Sequence, residues 1–282
     1  MACEKPTYEE LEARLTEAER ALKALKEEKI DAFIGKKGVY LLRLKEVEKA
    51  LEDSIHEMTE YAYALTHNLK SPLRAIHNYV NFLFEDLGDS LDGDPKKYLE
   101  GIRDAITMSN KQFEDLETLY DIKNHRMRVQ ELDIHELLDE LAFMYKNTAD
   151  RQLVIASRWP DLWSEKFLLR QILLNLITNG FKFNCADIKR VEIGWNPAAN
   201  ESIDIFVRDN GIGIASAHQE QIFNIFKRLH TDREFSGTGI GLAIVKKAAQ
   251  KLGVTLRLES MIGQGSTFYV NLPKVPSENN RT

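Results

Sequence analysis

The chain carries "DNGIGI" at residues 209–214 and "GTGIGL" at residues 237–242. Glycine loses more backbone entropy on folding than any other residue, so such clusters are expected to serve a close approach of backbone to another group. Asp209 follows a strand-like segment, and its carboxylate can accept a hydrogen bond from an exocyclic amine such as that of adenine. The second cluster opens a helical segment, whose N-terminal N–H groups suit phosphates. Together they predict a nucleotide site, whereas a turn explains either one alone.

Alternating and helical patterns surround these clusters from about residue 126 onwards. Strand-like alternation occurs in "RMRVQEL", "VEIGW", "SIDIFVRD", "VTLRLES" and "STFYVNLP". Helical patterns occur in "IHELLDELAFMY", "KFLLRQILLNLITNGFKF" and "GIGLAIVKKAAQKLG". These patterns predict a catalytic domain over residues 126–273, folded as a two-layer α/β sandwich, with a polar tail at 274–282.

A helical hairpin is predicted before this domain, over residues 43–125. Apolar residues at helical spacing indicate one long helix from about Leu42 to Leu87, and the polar stretch "GDSLDGDP" ends it. Asp94 is expected to cap the next helix, with Pro95 at its first position. Because two helices bury too little by themselves, we expect a second copy to complete a four-helix bundle. Residues 1–42 are interpreted as a coiled-coil or signal-relay segment, in which "KKGVYLL" is a small strand or turn.

Composition excludes several classes of protein. The 282 residues leave room for two domains, and the net charge of −6 comes without a basic stripe, so nucleic acid is not an expected partner. No apolar run approaches the roughly 18 residues of a membrane span. The two cysteines, Cys3 and Cys185, lack metal-site spacing. A reduced, cytoplasmic location is the expectation.

Two asparagines and a lysine precede the first glycine cluster. Asn175 and Asn179 are four residues apart and share a helix face, and Lys182 lies on a neighbouring part of that face. Amide oxygens and an ammonium beside phosphates would suit Mg²⁺ and a charge clamp, although polar helix surface is the simpler alternative.

The segment between the two glycine clusters has the features of a lid. Phe223 and Phe226 are candidates to anchor it. Basic side chains there could reach a triphosphate, or could belong to a solvated loop: Lys227, Arg228, His230 and Arg233.

Five stretches of the chain resemble the sequence boxes of sensor histidine kinases. They are "NLITNGFKF", "DNGIGI", "IFNIFKRL", "GTGIGL" and "GQGSTF", which resemble the asparagine box, the first glycine box, the phenylalanine box, and the second and third glycine boxes. The similarity spans about residues 57–272, and "SPLRAI" and "IFKRLH" favour the phytochrome-associated subgroup. The nucleotide domain of that family is of the GHKL class, shared with DNA gyrase, a heat-shock chaperone and a mismatch-repair ATPase.

The resemblance implies ATP and Mg²⁺ as cofactors and assigns roles to particular residues. Asn179 would be the main Mg²⁺ ligand, with Asn175 beside it; Lys182 would contact phosphate and Asp209 the adenine amine. The full set of implied ATP-binding residues is Asn175, Asn179, Lys182, Phe183, Asp209, Gly211, Gly213, Phe226, Lys227, Arg228, Gly237, Thr238, Gly239, Ile240, Gly241 and Leu242.

Asn175 favours a kinase over an ATPase. The hydrolysing GHKL members carry a glutamate at this position, four residues before the metal-binding asparagine, and it activates water. An asparagine cannot act as that base, so the γ-phosphoryl group is expected to go to another acceptor.

His67 is the predicted acceptor among the seven histidines. It lies two residues from both Leu65 and Leu69 and therefore projects roughly opposite the apolar seam. Pro72 predicts a helix kink just after it. The run His-x-Leu-Lys-x-Pro-Leu resembles the phospho-acceptor motif of the family, whereas a lone histidine on a polar face would more simply be surface.

Asn68 departs from the family pattern, which usually has Glu or Asp directly after the histidine. Most imidazole is neutral near pH 7, given a reference pKa of about 6.5, so attack by its free nitrogen remains feasible. Asn68 can orient the ring but cannot accept its proton, and a missing general base slows transfer by roughly 10²–10⁴. Ser71 stands at the position that the family links to dephosphorylation of the partner, which leaves a phosphatase role open.

The sequence therefore predicts a homodimeric sensor histidine kinase. It would transfer the γ-phosphoryl group of ATP to His67 and then to an aspartate of a separate response regulator, with the input coming from another protein or from a sensor on a separate chain. The alternatives are an ATP-binding scaffold with little transferase activity, for which Asn68 is the support, and a GHKL ATPase, against which Asn175 argues.

Overall fold

A computed structural model describes the larger part of the chain. The described residues are 8, 12, 15, 16, 19, 31–35, 38–42, 68–87, 93–199, 202–227, 235 and 237–273. The chain divides into two compact units, Met1–Leu65 and Thr66–Thr282. The predicted domain limits at residues 42, 125 and 273 remain predictions. The predicted site residues that lie outside the described residues are His67, Arg228, His230 and Arg233, and the polar tail lies outside them as well.

The first unit contains a β-hairpin. Strands β1 (Asp31–Gly35) and β2 (Gly38–Leu42) pair antiparallel, with Gly35 opposite Gly38 and Asp31 opposite Leu42. The sequence predicted a strand or turn only for the second of these strands. The first strand was not predicted because it has only five residues and directly follows a segment with a helical pattern.

Two helices open the second unit, and their positions agree with the predicted helical region. Residues 68–87 form α1, and α2 runs over Asp94–Asn124. The prediction of Asp94 as N-cap was wrong: Gly93 occupies that position with φ of 71°, and Asp94 is the first helical residue. A positive φ favours glycine, and the Asp94 carboxylate still lies in the first turn, where it complements the helix dipole.

A five-stranded sheet forms the centre of the second unit. Its strands are β4 (Arg151–Ile155), β6 (Lys189–Pro197), β7 (Ser202–Asp209), β8 (Thr255–Met261) and β9 (Gly265–Pro273), in the spatial order β4-β6-β7-β9-β8. Only β4 and β6 pair in parallel. Strands β3 (Gln130–Leu132) and β5 (Leu162–Ser164) make a separate antiparallel pair.

Three helices pack against this sheet and complete a helical region followed by an α/β domain. They are α3 (Ile134–Met144), α4 (Lys166–Lys182) and α5 (Gly241–Leu252). Asp133 and Glu165 cap α3 and α4 by accepting backbone N–H groups, and Gly253 ends α5 in the left-handed conformation. The buried residues of these helices and of the sheet form one continuous apolar core. Within the described residues, no helix has the length and apolar character that crossing a bilayer requires.

Candidate functional site

A cavity of about 1270 Å³ lies between α2 and the α/β domain. Its walls come from α2, α4, the first and second glycine clusters and the start of β9. The α4 and glycine-cluster lining consists of Gln171, Leu174, Asn175, Thr178, Asn179, Lys182, Phe183, Asp209, Ile212, Gly213, Ile214, Gly237, Thr238, Gly239, Gly241 and Leu242. The volume is sufficient for a nucleotide.

Asp209 lines the cavity. Its Oδ1 accepts hydrogen bonds from the backbone N–H groups of Gly211 at 2.8 Å and of Ser266 at 3.2 Å. Burial raises the pKa of this carboxyl from 3.8 to about 6, although the two backbone hydrogen bonds act to lower it. Its Oδ2 makes no hydrogen bond within the described part of the chain. A half-buried acceptor on the cavity wall can recognise an amine donor.

The glycines around Asp209 are required by the chain's own backbone. A Cβ on Gly211 would lie 2.2 Å from the carbonyl oxygen of Phe183, and one on Gly213 would lie 2.0 Å from that of Met261. Gly213 also has φ of 72°, which side chains other than glycine rarely adopt. The sequence predicted that these glycines serve a close approach of backbone to another group. The close approach seen in the structure is to neighbouring loops, which hold Asp209 in its position.

Asn175, Asn179 and Lys182 project from α4 towards the second glycine cluster. The Nδ2 of Asn175 donates to the carbonyl of Gln171 at 2.8 Å, which turns Oδ1 towards Gly241. A Cβ on Gly241 would lie 2.9 Å from that Oδ1 and 3.8 Å from Nδ2 of Asn179. The ammonium of Lys182 lies against Gly237, where a Cβ would overlap it. The two amides and the ammonium therefore meet the glycine cluster at one place.

The start of α5 and the residues before it form another part of the cavity wall. The N-cap Ile240 provides no side-chain hydrogen bond to the first turn, so its N–H groups have no cap from the helix itself. The Oγ1 of Thr238 accepts from the backbone N–H of Ile240 at 3.2 Å. An uncapped helix start beside Lys182 and two amides suits an anion. Amide oxygens also fit Mg²⁺; among the described residues no cluster of three His, Cys, Asp or Glu side chains offers a metal site.

Several predicted residues do not line the cavity. Gly211 lies behind Asp209, and Ile240 is fully buried in the core. Phe226 is exposed, with φ of 62°, and its N–H donates to the carbonyl of Gly239 at 3.0 Å, so it contacts the second glycine cluster through its backbone. Asn68 and Ser71 lie exposed on α1, outside the cavity wall.

The sequence did not reveal the side of the cavity that α2 forms. The lining residues of this helix are Asp104, Ala105, Thr107, Met108, Lys111, Gln112, Glu114, Asp115 and Thr118. Ser266, whose N–H holds Asp209, lies in the "GQGSTF" stretch, so its position near the site could have been inferred from that box.

Comparison with known proteins places these features in a family. Residues 165–276 match the family described as histidine kinase-, DNA gyrase B-, and HSP90-like ATPase. The chain is 36% identical over 246 residues to cyanobacterial phytochrome B of Nostoc sp., covering 82% of this chain and 31% of that protein. It is 31% identical over 251 residues to the phytochrome-like protein Cph1 of Synechocystis sp., covering 86% of this chain and 33% of that protein.

A methanogenesis regulatory histidine kinase, FilI of Methanothrix harundinacea, is 31% identical over 223 residues, covering 77% of this chain and 25% of that protein. The chain thus spans about a third or less of the length of these relatives. The fold is similar to that in the crystal structure of full-length ShkA in complex with AMPPNP, with a TM-score of 0.58, 23% identity, and coverage of 77% of this chain and 46% of that one. The chain therefore belongs to the sensor histidine kinases, with an ATPase domain of the histidine kinase-, DNA gyrase B- and HSP90-like family.

Proposed function

We propose that this chain is an ATP-dependent protein-histidine kinase whose acceptor is His67. The observation that carries the proposal is the composition of the cavity. Its wall carries a half-buried carboxylate in one place, and two amides, an ammonium and an uncapped helix start in another. The position from which related ATPases activate water is occupied by Asn175.

These two groups of residues suit the two ends of ATP. The Asp209 carboxylate would accept a hydrogen bond from the adenine amine, because its Oδ1 is already held by two backbone N–H groups. Lys182 and the first turn of α5 would hold the phosphates. Asn179, with Asn175 beside it, would hold Mg²⁺, which would neutralise phosphate charge.

The transfer needs an acceptor other than water. In the proposed step a nitrogen of His67 attacks the γ-phosphorus, a nitrogen–phosphorus bond forms, the bond to the bridging oxygen breaks, and ADP leaves. The proton of the ring goes to solvent, since Asn68 cannot accept it. We expect this deficit to make autophosphorylation slow but not absent, because a neutral imidazole needs no base to expose its lone pair.

The proposed assembly is a homodimer in which paired hairpins form a four-helix bundle and each copy carries a two-layer α/β sandwich. Its support is an apolar seam that a single chain leaves open on α1. The exposed members are Leu69, Ile76, Leu83 and Leu87, which recur at spacings of seven and four residues. Light scattering of the full chain should then give twice its mass of 32.4 kDa.

The phosphoryl group would pass next to an aspartate of a response regulator. A purified receiver domain should remove the label from the phosphorylated chain, and the same domain with its acceptor aspartate replaced should not. Ser71 lies exposed on α1, one turn beyond Asn68. The Ser71 hydroxyl can position a water molecule for attack on a phosphorylated regulator. If the chain also acts as a phosphatase, Ser71→Ala should therefore slow the loss of phosphate from that regulator.

The acceptor is tested by labelling with radioactive ATP. His67→Gln should abolish acid-labile label while leaving binding of a fluorescent ATP analogue unchanged. His135→Gln is the matched control, because His135 is exposed on α3. Label that persists in His67→Gln would assign the acceptor elsewhere. Absence of label in the wild-type chain, with nucleotide bound, would favour the scaffold, and steady phosphate release without a phosphoprotein would favour the ATPase.

The role of Asn68 is tested in the same assay. Asn68→Asp supplies the carboxylate that the family usually has, so the initial labelling rate should rise, by roughly 10²-fold or more if proton removal limits the reaction. An unchanged rate would show that the missing carboxylate does not limit transfer.

A further inference from the structure

A buried hydrogen bond joins the hairpin to the second glycine cluster. The hydroxyl of Thr238 donates to Oδ2 of Asp115, on α2, at 2.5 Å. Asp115 is only 7% exposed and Thr238 only 8%. The other oxygen of Asp115 lies 3.2 Å from the ammonium of Lys111, one turn earlier on the helix. A largely desolvated carboxylate is thus held directly against the loop that opens α5.

This carboxylate lies where a bound nucleotide would carry its charge. Asp115 and Thr238 both line the cavity, together with Gly237, Gly239 and Lys182. Glycine N–H groups and the Lys182 ammonium favour binding of the phosphates, whereas the negative charge of Asp115 repels them. The repulsion is strong because the space between the charges is partly desolvated. Lys111 compensates only part of this repulsion, because its side chain is 61% exposed and its charge is screened by water.

The same end of α2 is fixed to the α/β domain at two further points. The ammonium of Lys251, on α5, donates to the carbonyl of Lys123 at 2.9 Å. Beyond the helix end, Nε2 of His125 lies 3.0 Å from Oε1 of Glu165, whose other oxygen caps α4. Ile122 is part of the apolar core. Docking of α2 is therefore a defined packed arrangement, and Asp115 is its contact with the glycine cluster.

We propose that Asp115 is a positioning residue that acts through Thr238, so that docking of α2 and binding of a triphosphate oppose each other. This inference rests on the proposed function, since it takes the ligand to be an adenine nucleotide. In the docked arrangement Asp115 engages the Thr238 hydroxyl and places a negative charge beside the phosphate end. A bound triphosphate weakens that contact and releases the glycine cluster from the hairpin. Because coupling is reciprocal, the position of the hairpin sets the affinity for the triphosphate.

The charge of Asp115 gives the inference a specific test in the full chain. Asp115→Asn keeps an oxygen that can accept from Thr238 but removes the negative charge. Calorimetry should show that the variant binds Mg·AMPPNP at least about tenfold more tightly than wild type, which is the effect of removing one unit charge about 12 Å away at an effective dielectric of about 20. Binding of adenosine, which has no phosphate, should change by less than about twofold. The matched control is Asp121→Asn, which removes an exposed charge from the same helix and should change neither affinity.

The outcomes separate this inference from the proposed function. If wild type binds neither Mg·AMPPNP nor adenosine, the proposed function fails and the inference with it. If wild type binds both and Asp115→Asn leaves the Mg·AMPPNP affinity unchanged, only the inference is overturned. The inference is equally overturned if adenosine binding changes as much as triphosphate binding, because that pattern marks a general structural effect.

A cross-link tests the same coupling without altering Asp115. Lys123→Cys and Lys251→Cys, in a chain with Cys3 and Cys185 replaced by serine, would be joined by a short bismaleimide to hold α2 docked. The linked chain should bind Mg·AMPPNP at least about tenfold more weakly than the unlinked double variant, with adenosine binding retained. Equal triphosphate binding before and after linking would overturn the inference even if Asp115→Asn proved too unstable to study.

Discussion

Asp209→Asn separates the energetic cost of the Asp209 charge from the role that we propose for it in adenine recognition. The substitution keeps an oxygen at the position that accepts from Gly211 and Ser266, so both backbone hydrogen bonds can persist. The substitution removes the negative charge of the carboxylate. Burial disfavours this charge and thereby raises the pKa of Asp209 to about 6. We therefore expect the variant to be more stable than wild type above that pH and unable to recognise adenine well.

The magnitude follows from the two pKa values. One pKa unit corresponds to about 1.4 kcal/mol, so a rise from 3.8 to about 6 corresponds to at most about 3 kcal/mol. Below pH 3.8 the carboxyl is protonated in both folded and unfolded chains, and burial of charge has no effect. Between pH 3.8 and 6 the folded chain binds more protons than the unfolded one, so the stability of wild type falls as pH rises. Asp209→Asn lacks this dependence.

Urea unfolding of the nucleotide-free chain at pH 5, 6, 7 and 8 measures the effect. The stability advantage of Asp209→Asn should increase from pH 5 to pH 7 and level off by pH 8, at up to about 3 kcal/mol. Asp187→Asn, which removes an exposed carboxylate from a loop, is the control and should show no such trend. A wild-type-to-variant difference that stays constant with pH would refute the argument that burial of this charge is the cause.

Binding in the same samples completes the test. Loss of a charged acceptor for the adenine amine should weaken adenosine binding by about 1.5–3 kcal/mol, which is roughly tenfold or more. In wild type, adenosine binding should weaken as pH falls below about 6, because the protonated carboxyl is a poorer acceptor. Stability and binding thus change in opposite directions at a single side chain.

Two further substitutions test the backbone around the site by urea unfolding. Gly213→Ala should cost about 3 kcal/mol or more, because its Cβ would lie 2.0 Å from the carbonyl oxygen of Met261 at a φ of 72°; Gly253→Ala, with φ of 71° and open space, should cost only about 1 kcal/mol. Equal losses of unfolding free energy in the two variants would show that the positive φ, and not the contact with Met261, determines the cost. Asn184→Ala should cost about 1–3 kcal/mol, because the buried Asn184 donates to Oδ1 of Asn210 at 2.7 Å and joins α4 to the first glycine cluster. A loss below about 0.5 kcal/mol would contradict that role.

The helices and long strands of the α/β domain were predictable because their patterns are local. The helix α4 carries buried residues through its whole length, and the glycine that ends α5 has a positive φ. Strands β4 and β5 were missed for the opposite reason. The first has five residues and pairs in parallel with β6, and the second has three residues and pairs with β3. Such short segments become strands because a partner edge is present.

The same difference between local and long-range features applies to the residues of the candidate site. The residues of α4 and of the glycine clusters could be grouped because each lies in a short stretch with a recognisable spacing. Asp115 could not, since 123 residues separate it from Thr238. Nothing in the pattern of α2 distinguishes Asp115 from the neighbouring Glu114, which shares its charge. Only packing of the hairpin on the domain buries one of these carboxylates at the cavity.

Two carboxylates in one cavity then have opposite consequences for the same ligand. Asp209 lies at the end where a donor is expected, so its charge favours binding although it destabilises the empty fold. Asp115 lies at the end where phosphates are expected, so its charge opposes binding while its hydrogen bond to Thr238 stabilises the docked hairpin. Asp209 is held by backbone groups of the α/β domain alone, whereas the second glycine cluster shares a hydrogen bond with the hairpin. Movement of the hairpin can therefore change the affinity for the phosphates without changing recognition of the base. An enzyme that transfers a phosphoryl group needs this separation, because the nucleotide must stay bound by its base while its terminal phosphate becomes available for transfer.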